Sequence, residues 1–468
     1  MADCVAAALA QARRAGAGRL ASVTLEAPGE LDPTAVAMAS RRTGEAWFCF
    51  DQPARGGRAL AALGAVRTIE ASGPDRFSVL SSRWREACRE SVGSAMAGDG
   101  AGAGHPGAHG GPLAVGGFAF APDGGSTQAW SGFAPASFVV PEVALRRGGE
   151  GGPRVTVSAE VAPDDVAEEV VARMMERVGS LRAAPLPLLD PAPAGEYRVA
   201  SAMAPQHFEA AVARARELIG AGEIEKVVLA REVQVHAPLE HDPAAVLGAL
   251  REAFETCFIY GVGRGDAAWL GASPELLVRR EGQRVSTMAL AGSARRSADP
   301  AVDAHIGERL LRSQSYREEH ASVVRRIERD PRPLAVWIAS APEPALVKVA
   351  NIQHLGTPIR AQLAAPHDVL ELGGRLHPTP AVGGEPAPRA RELIPALEGL
   401  DRGWYAGPVG WIDGTGDGEL CVALRCALLR GRSAHLYAGN GIVRDSDPAA
   451  ELAETEVKLA ALLPLLAG

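Results

Sequence analysis

The 468-residue sequence lacks several features that mark large functional classes. No apolar run of about 18 residues is present, so we expect no membrane-spanning helix. Residues 1–5 contain neither the basic region nor the long apolar region of a secretory signal, so we expect no such signal. Blocks of about five or more Lys and Arg are absent, and the net charge is −8. This balance argues against nucleic acid or an anionic membrane as the main partner.

Cysteine is also scarce. The six cysteines are scattered and form no Cys-x-x-Cys pair. Cys421 and Cys426 lie in apolar, strand-like sequence, where buried cysteines are more typical than metal ligands or a disulfide. Reduced thiols are the rule in the cytoplasm, so we expect a cytoplasmic protein. The composition of 47% hydrophobic and 22% charged residues is typical of a soluble enzyme with a substantial core.

The chain divides into two regions of different character. Residues 1–185 form a weakly marked N-terminal part that includes a glycine-rich stretch at 98–111. This stretch lacks the Lys-Ser/Thr pair of a phosphate-binding loop, and we interpret it as a surface insertion. A proline-rich linker at 183–194 leads to residues 195–468, where the patterns are clearer. The length allows one or two domains.

Strand-like and helix-like runs indicate the fold class. In the second region we predict a long helix over 302–328, strand sequence over 419–429 and a Gly/Pro loop at 355–358. In the first region we predict a helix over 78–97. Strand-rich runs with helices between and after them predict the α+β class, in which large antiparallel sheets are covered by helices.

The C-terminal residues carry the most specific pattern. Asp447 is suited to cap a helix, and Pro448 is suited to its first position. At about 100° per residue, Glu451, Glu454 and Lys458 then share one face. Two carboxylates beside a lysine suit a hard divalent cation that neutralises an anionic substrate. A solvated acidic face is the alternative, and the helix by itself does not decide between the two.

Three other charged residues stand in apolar or constrained sequence. Lys226 lies in a β-rich run and would be a general base if it faced a closed site, although an outward position also fits. Glu275 follows a strand and a proline and would be either a proton donor or a surface carboxylate. Glu319 falls on the apolar side of the 302–328 helix, whereas Glu318 points away. A carboxylate on the packed side suggests an ion pair or a metal ligand.

Four further residues have two interpretations each. Arg425 is flanked by apolar residues, so it would pair with either a structural or a substrate carboxylate. Gly439 and Gly441, at the end of a strand, either allow backbone N–H groups to approach an anion or form a tight turn. His354 fits a substrate contact or a structural histidine. The sequence leaves these alternatives open.

Several strings together resemble the chorismate-utilising enzymes. This family includes isochorismate synthase, salicylate synthase and the first components of anthranilate synthase and aminodeoxychorismate synthase. The strings follow one another at 225–231, 271–275, 290–296, 319–320, 353–355, 377–381, 403–411, 423–425 and 439–458. The resemblance implies a layered α/β unit in which two large, mostly antiparallel sheets flanked by helices enclose a deep central site. Residues 1–185 and 195–468 would then form one structural unit.

Residues at three positions indicate which members of the family the chain resembles most. Lys226 is similar to the members that activate water, whereas anthranilate synthases have glutamine there. Ala291 takes the place of the nucleophilic lysine of aminodeoxychorismate synthases. Ala381, in the loop at 377–381, is similar to isochorismate synthases, whereas salicylate synthases usually have threonine at or near it. The resemblance therefore implies an isochorismate synthase, with a salicylate synthase as the alternative.

The resemblance also implies a role for each candidate residue. Lys226 would deprotonate the water that attacks C2 of chorismate, and Glu275 would protonate the departing C4 hydroxyl. Mg²⁺ would be held by Glu319 and Glu454, with Glu451 bound directly or through water. The substrate would contact Arg425, Gly439, Gly441, Lys458, His354, Ala381, Leu424, Gly292 and Ser293.

Two residues depart from the family pattern. Ser293 replaces the commoner threonine, a mild change that isochorismate synthases also show. Asn440 replaces the alanine that is usual between Gly439 and Gly441, and we expect it to alter the carboxylate cradle slightly. Glu456 is interpreted as an ordinary surface charge. The long N-terminal part is similar to the menaquinone-type members, and supply of a siderophore is the alternative pathway. We expect a monomer that acts on a small-molecule substrate, chorismate, without a nucleic-acid or membrane partner.

Overall fold

The computed structural model describes residues 1–27, 29–95, 111–148, 152–188, 190–192 and 194–467. The predicted glycine-rich insertion at 98–111 lies outside these residues except for Gly111. No helix in the described ranges has the length and apolar character needed to cross a membrane. The helices are α1 Ala2–Ala15, α2 Pro33–Ser40, α3 Arg76–Arg89, α4 Ala167–Gly179, α5 Pro205–Gly220, α6 Pro243–Ala253, α7 Pro300–Arg312, α8 Gln314–Arg329, α9 Val369–Leu376, α10 Ala387–Glu398, α11 Pro448–Leu459 and α12 Leu463–Ala467.

Between the helices run the strands of two sheets. In chain order they are β1 Arg19–Glu26, β2 Trp47–Gln52, β3 Arg58–Leu63, β4 Arg67–Ala71, β5 Ser91–Ala95, β6 Leu113–Phe118, β7 Ala136–Val140, β8 Val143–Arg147, β9 Arg154–Val161, β10 Arg198–Ser201, β11 Lys226–His236, β12 Phe258–Arg264, β13 Ala267–Ser273, β14 Leu276–Glu281, β15 Arg284–Arg295, β16 Ala335–Ser340, β17 Ala345–Lys348, β18 Ile352–Leu363, β19 Gly384–Glu385, β20 Pro408–Asp413, β21 Gly418–Val422, β22 Cys426–Arg430 and β23 Ser433–Ile442.

The two sheets differ in size. The first has 13 strands in the order β10-β11-β23-β22-β13-β12-β2-β3-β8-β9-β1-β5, with β19 paired to β11. The second has 10 strands in the order β16-β18-β15-β14-β21-β20-β6-β7-β4, with β17 paired to β18. Within the described ranges the strand pairs are antiparallel except for β1 with β5. The predicted α+β class with two large, mostly antiparallel sheets is confirmed. Both sheets contain strands from 1–185 and from 195–468.

Most of the apolar core lies between the two sheets. One cluster of buried side chains joins the first sheet, with Phe50 and Trp269, to the second, with Phe118 and Phe138. Aromatic residues make up only 5% of the chain, but they are concentrated here. Trp130 packs edge-on against Trp269 with ring centroids 4.9 Å apart. Burial of these large rings holds the two sheets together.

Two short crossovers lie side by side where the chain passes between the sheets. One joins β13 to β14 and contains Glu275, and the other joins β21 to β22 and contains Arg425. The Val422 N–H donates to the carbonyl oxygen of Glu275, and the Ala272 N–H donates to that of Arg425, both at 3.0 Å. Each crossover is therefore bonded to the other, and both present a charged residue between the sheets.

Two predicted helices are wrong in part. The helix over 302–328 is two helices, α7 and α8, because Ser313 has an extended backbone (φ −67°, ψ 119°) that interrupts the helical run. Neither glycine nor proline marks this break. The helix over 78–97 is α3, which ends at Arg89, and the chain then enters β5, which pairs with β1. Pairing with a distant strand overrides the local helical pattern.

Two strand predictions also need correction. The predicted loop at 355–358 lies inside β18. Pro358 has no N–H to donate to a neighbouring strand. It is tolerated there because two short strands, β16 and β17, pair with the same edge of β18 and leave a gap at this residue. The pairing of β16 ends at Ile359, and that of β17 begins at Gly356. The predicted strand over 419–429 is two strands, β21 and β22, because the chain changes sheets between them.

A buried ion pair ties α10 to the loop before it and to the first sheet. The Arg402 Nε donates to Glu398 Oε2 at 3.0 Å, and the two side chains are 3% and 1% exposed. Arg402 also donates to the backbone carbonyls of Val382 and Val228, at 2.9 and 2.8 Å. Removal of one partner from such a pair leaves a buried charge without compensation.

We expect Glu398→Ala to lower the free energy of unfolding by about 3–5 kcal/mol, because Arg402 would lose its buried partner. Chemical denaturation followed by circular dichroism measures the change. Glu217→Ala is the matched control, since it breaks the exposed pair of Glu217 with Arg214, and it should cost less than about 1 kcal/mol. Equal losses in the two variants would contradict the prediction.

Candidate active site

A cavity of about 400 Å³ lies between the two sheets. Its walls are formed by β11, β15, β18 and β23, by the helices α8 and α11, and by the two crossovers. All the residues that the sequence predicted for the site line this cavity: Lys226, Glu275, Arg425, Gly439, Gly441, Lys458, His354, Ala381, Leu424, Gly292, Ser293, Glu319, Glu451 and Glu454.

Glu275 is the most deeply buried of the carboxyl groups that line the cavity, with 3% exposure. Its N–H donates to Ser273 Oγ at 3.2 Å, and its Oε1 accepts a hydrogen bond from Thr379 Oγ1 at 3.4 Å. Burial raises the pKa of Glu275 to about 7, although the Thr379 hydrogen bond and the charges of Arg425 and Lys226 act in the opposite direction. A carboxyl with this pKa exchanges protons readily near neutral pH.

Arg425 reaches the cavity from a left-handed backbone conformation, with φ 48°. The turn from one sheet to the other imposes this conformation, which costs about 1–2 kcal/mol in a residue with a Cβ. Among the residues that the structure describes, no carboxylate forms an ion pair with Arg425, and its buried Nε has no hydrogen-bond partner. Burial lowers the pKa of the guanidinium. Of the two alternatives for Arg425, the structural ion pair is therefore not found.

His354 holds Arg425 in place. The His354 ring is hydrogen-bonded at Nδ1 to Ser293 Oγ (2.8 Å) and at Nε2 to Arg425 Nη2 (3.2 Å). Because a guanidinium only donates, Nε2 is the acceptor and the Nδ1–H donates to Ser293. Burial and the charges of Arg425 and Lys458 keep the pKa of His354 well below its usual value. A β-bulge at Gly292 (φ 76°) places Ser293 beside the ring. These contacts favour a structural histidine over a substrate contact.

Lys226 and Glu319 meet across the cavity. The Lys226 Nζ lies 2.5 Å from Glu319 Oε1, and the side chains are 8% and 21% exposed. A Cβ at Gly441 would lie 2.6 Å from Cε and 3.0 Å from Nζ of Lys226. A Cβ at Gly439 would lie 2.7 Å from the Leu229 carbonyl oxygen. Both glycines lie within β23, so close approach of neighbouring groups, and not a tight turn, explains them.

The C-terminal helix α11 begins as predicted. The Asp447 side chain accepts a hydrogen bond from the Ala450 N–H at 2.9 Å. On the face towards the cavity, Lys458 Nζ lies 2.8 Å from Glu454 Oε1 and donates to the Gly439 carbonyl at 2.9 Å. Burial lowers the pKa of Lys458, and the Glu454 charge opposes this shift. The acidic face therefore forms a wall of the cavity, although the Glu454 side chain is still 37% exposed.

Asn440 connects β23 to α11. Its Nδ2 donates to Glu451 Oε2 at 2.9 Å and to the Glu451 carbonyl at 2.7 Å, and its Oδ1 accepts from Lys458 Nζ at 2.7 Å. An alanine at this position makes none of these hydrogen bonds. Asn440 thus holds one carboxylate and the lysine of the helix in fixed positions.

The three remaining carboxylates match Mg²⁺ in donor chemistry. Within the described ranges no three His, Cys, Asp or Glu side chains converge closely enough to hold a metal ion as they stand. Glu319 and Glu454 each meet a lysine through one oxygen, and Glu451 meets an amide. All three carboxylates line the same cavity, together with Tyr316. Mg²⁺ prefers such oxygen ligands.

Two residues of the site have no predicted role. Thr379 lies in the loop at 377–381, but its hydrogen bond to Glu275 depends on the position of the crossover. Tyr316 belongs to the apolar stripe of its helix, a pattern that indicates a core residue. In the structure it lines the cavity. Glu456 is exposed, as predicted for a surface charge, and it also forms an ion pair with the buried side chain of Arg231.

Comparison with known proteins identifies the class to which this fold and cavity belong. Residues 7–467 match the model of the family described as chorismate binding enzyme. The chain belongs to this family. The resemblance inferred from the sequence strings is therefore confirmed over almost the whole chain.

The chain is similar to particular members of this family. The chain is 37% identical over 413 residues to the salicylate biosynthesis isochorismate synthase of Pseudomonas aeruginosa. The aligned part makes up 88% of this chain and 83% of that protein. It is 34% identical over 366 residues to the isochorismate synthase MenF of Bacillus subtilis, with 76% and 75% coverage. The solved structure of MenF, the menaquinone-specific isochorismate synthase from Escherichia coli, is 25% identical, with a TM-score of 0.76 and coverage of 99% and 100%.

We expect Gly441→Ala to reduce the consumption of chorismate by about a hundredfold or more, because the new Cβ would displace the Lys226 amine. Chromatography of the remaining chorismate measures the rate, and thermal melting checks the fold. Gly220→Ala is the matched control, since nothing lies within 4 Å of the position of its Cβ. A Gly441→Ala enzyme as active as this control would refute the steric argument.

Proposed function

We propose that this chain is an isochorismate synthase, which converts chorismate into isochorismate by adding water at C2 and releasing the C4 hydroxyl. One observation carries the proposal: a buried amine, Lys226, and a buried carboxyl, Glu275, line one cavity with Arg425, which meets no carboxylate in the described part of the chain. This set supplies a base, an acid and an anion-binding group, which the reaction requires. Relatives that bear the name isochorismate synthase support the same assignment.

Glu275 is the proton donor in this proposal. A hydroxyl leaves carbon readily only when it is protonated and departs as water. The pKa of about 7 keeps a substantial fraction of Glu275 protonated near neutral pH. Thr379, which donates to Oε1, orients the carboxyl.

Lys226 is the base that takes the proton of the attacking water. In the structure the Lys226 amine contacts Glu319 Oε1 at 2.5 Å, so this contact must open before the amine can meet the attacking water. Glu319, Glu451 and Glu454 would hold Mg²⁺, which when bound neutralises carboxylate charge in the cavity. After each turnover the proton on Lys226 returns to Glu275, and the reaction is balanced as an isomerisation.

The substrate carboxylates are bound by cations and backbone in this proposal. Arg425 offers a planar fork that matches two carboxylate oxygens, and His354 fixes its orientation. Lys458 lies beside the backbone of Gly439 and Gly441. The remaining wall near the ring would come from Ala381, Leu424, Gly292 and Ser293.

The pathway and the setting of the enzyme are further parts of the proposal. We assign isochorismate to menaquinone biosynthesis, with supply of a catecholate or salicylate siderophore as the alternative. A salicylate synthase, which would also eliminate pyruvate from isochorismate in this cavity, is the second candidate activity. All six cysteines are free thiols in the structure, as a reducing cytoplasm favours. The enzyme would act there as a monomer.

Incubation with chorismate and Mg²⁺, followed by chromatography of the products, tests the proposal. Isochorismate without salicylate or pyruvate is the expected result, and a chelator should abolish its formation. Lys226→Ala should lower turnover by about 10²–10⁴-fold, because it removes the base, while thermal melting and Mg²⁺ binding persist. Lys348→Ala is the matched control, since Lys348 pairs with Asp303 and does not line the cavity.

Three outcomes would count against parts of the proposal. Salicylate with pyruvate would establish the second candidate activity. Absence of turnover in the unmodified protein would exclude catalysis on chorismate. Near-normal activity of Lys226→Ala would remove that residue from the mechanism.

The acid–base pair predicts a pH dependence. The reaction needs the protonated form of Glu275, which gives its proton to the departing hydroxyl. As the pH rises through about 7, Glu275 loses this proton and can no longer act as the donor. The kcat/KM therefore falls as the pH increases through about 7.

We expect Thr379→Val to move this decrease in kcat/KM to higher pH, because the Thr379 hydrogen bond lowers the pKa of Glu275. Profiles of kcat/KM against pH measure the shift. Thr68→Val, on the exposed side of β4, is the control and should leave the profile unchanged. An identical profile in Thr379→Val and the control would show that Glu275 does not govern the decrease.

A further inference from the structure

A second cavity, of about 530 Å³, adjoins the first. The segment 377–382 contributes to both: His377 and Pro378 line the second cavity, and Ala381 and Val382 line the first. Ligand cavities are commonly about 300–1,000 Å³ in volume. The second cavity is therefore large enough for a small molecule, and none of the proposed catalytic residues lines it.

One wall of the second cavity is apolar and largely aromatic. Phe77 and Phe120 flank the ring of His377, with centroid distances of 5.8 and 5.7 Å. Ile394 and Leu400 extend this wall. Planar rings pack favourably against such a surface.

The cavity also holds two arginines that lack ion-pair partners among the residues described. Arg76 is only 4% exposed. Its Nη2 donates to the carbonyls of Ala119 and Phe120, at 3.0 and 3.2 Å, but its buried Nε has no hydrogen-bond partner. Burial lowers the pKa of Arg76 to about 10, and the charge of Arg391 lowers it further. Arg391, on α10, is exposed at the rim of the cavity.

The other charged groups of this cavity are largely compensated. Arg402 forms the buried pair with Glu398. Asp401 accepts hydrogen bonds from the N–H groups of Gly125 and Gly403, both at 2.9 Å, and from a third backbone N–H. Asp123 is the remaining carboxylate, and its charge acts on Arg76 without forming an ion pair. Among the described residues of the cavity, the two positive charges of Arg76 and Arg391 thus exceed the single negative charge of Asp123.

Burial of a guanidinium without an anion is costly in free energy. A carboxylate would neutralise its charge and accept hydrogen bonds from two of its N–H groups at once. We propose that this second cavity binds a small aromatic or cyclic carboxylate, which Arg76 and Arg391 hold by its anionic group while its ring packs on the aromatic wall. The bound ligand would also contact the segment 377–382, whose Thr379 donates to Glu275.

Isothermal titration with benzoate tests this site. Arg391→Ala removes a rim charge without disturbing the core, and we expect it to weaken benzoate binding by about tenfold, since charged hydrogen bonds are of this strength. Arg389→Ala, on the same helix but outside the cavity, is the matched control and should bind benzoate as the unmodified protein does. Benzamide, which has the ring without the charge, should bind far more weakly than benzoate.

The results separate this site from the proposed active site. If benzoate bound only in the first cavity, Arg391→Ala would have no effect and the proposal would be overturned. Absence of benzoate binding to the unmodified protein, or equal affinity for benzamide, would overturn it as well. Chorismate turnover by Arg391→Ala in the absence of benzoate should be unchanged, so the result is independent of the proposed reaction.

Discussion

The two crossovers between the sheets, bonded to each other through backbone N–H groups, set the geometry on which the site depends. Each hydrogen bond is modest, about 1 kcal/mol. Together, however, they fix the positions of Glu275 and Arg425 relative to both sheets at once. The left-handed backbone of Arg425 is a local cost that the surrounding pairing sustains. A residue on a free loop would have no comparable constraint on its direction.

Burial then shifts the pKa of several groups in the cavity. Burial raises the pKa of Glu275, lowers that of Lys458 and keeps His354 neutral. Because a buried charge without a partner is expensive, the lysines contact carboxylates, and Asn440 contacts both helix α11 and its lysine. Among the described residues of the cavity, Arg425 has no such carboxylate. The site is therefore a set of matched charges with one cation open towards an anion.

The fold and the site were predictable to different extents. Polar residues in otherwise apolar strings indicated the site, because such residues need partners wherever the chain is buried. The continuation of β18 through Pro358 was not predictable, because it depends on where the neighbouring strands begin and end. The break at Ser313 was not predictable either, since neither glycine nor proline marks it. Asn440 was visible as a departure from the family pattern. Its hydrogen bonds required the distance between β23 and α11, which no local pattern contains.

By itself, the sequence determined the kind of residues, their order and the helix that begins at Asp447, since capping and periodicity act over a few residues. It also determined the family, because nine strings in order are specific. The tertiary structure decided which charges pair, that Arg425 has no carboxylate partner among the residues described, and that a second cavity shares the segment 377–382. The physical reason is that pairing and burial depend on distances between residues far apart in the chain, and those distances exist only after the two sheets have packed.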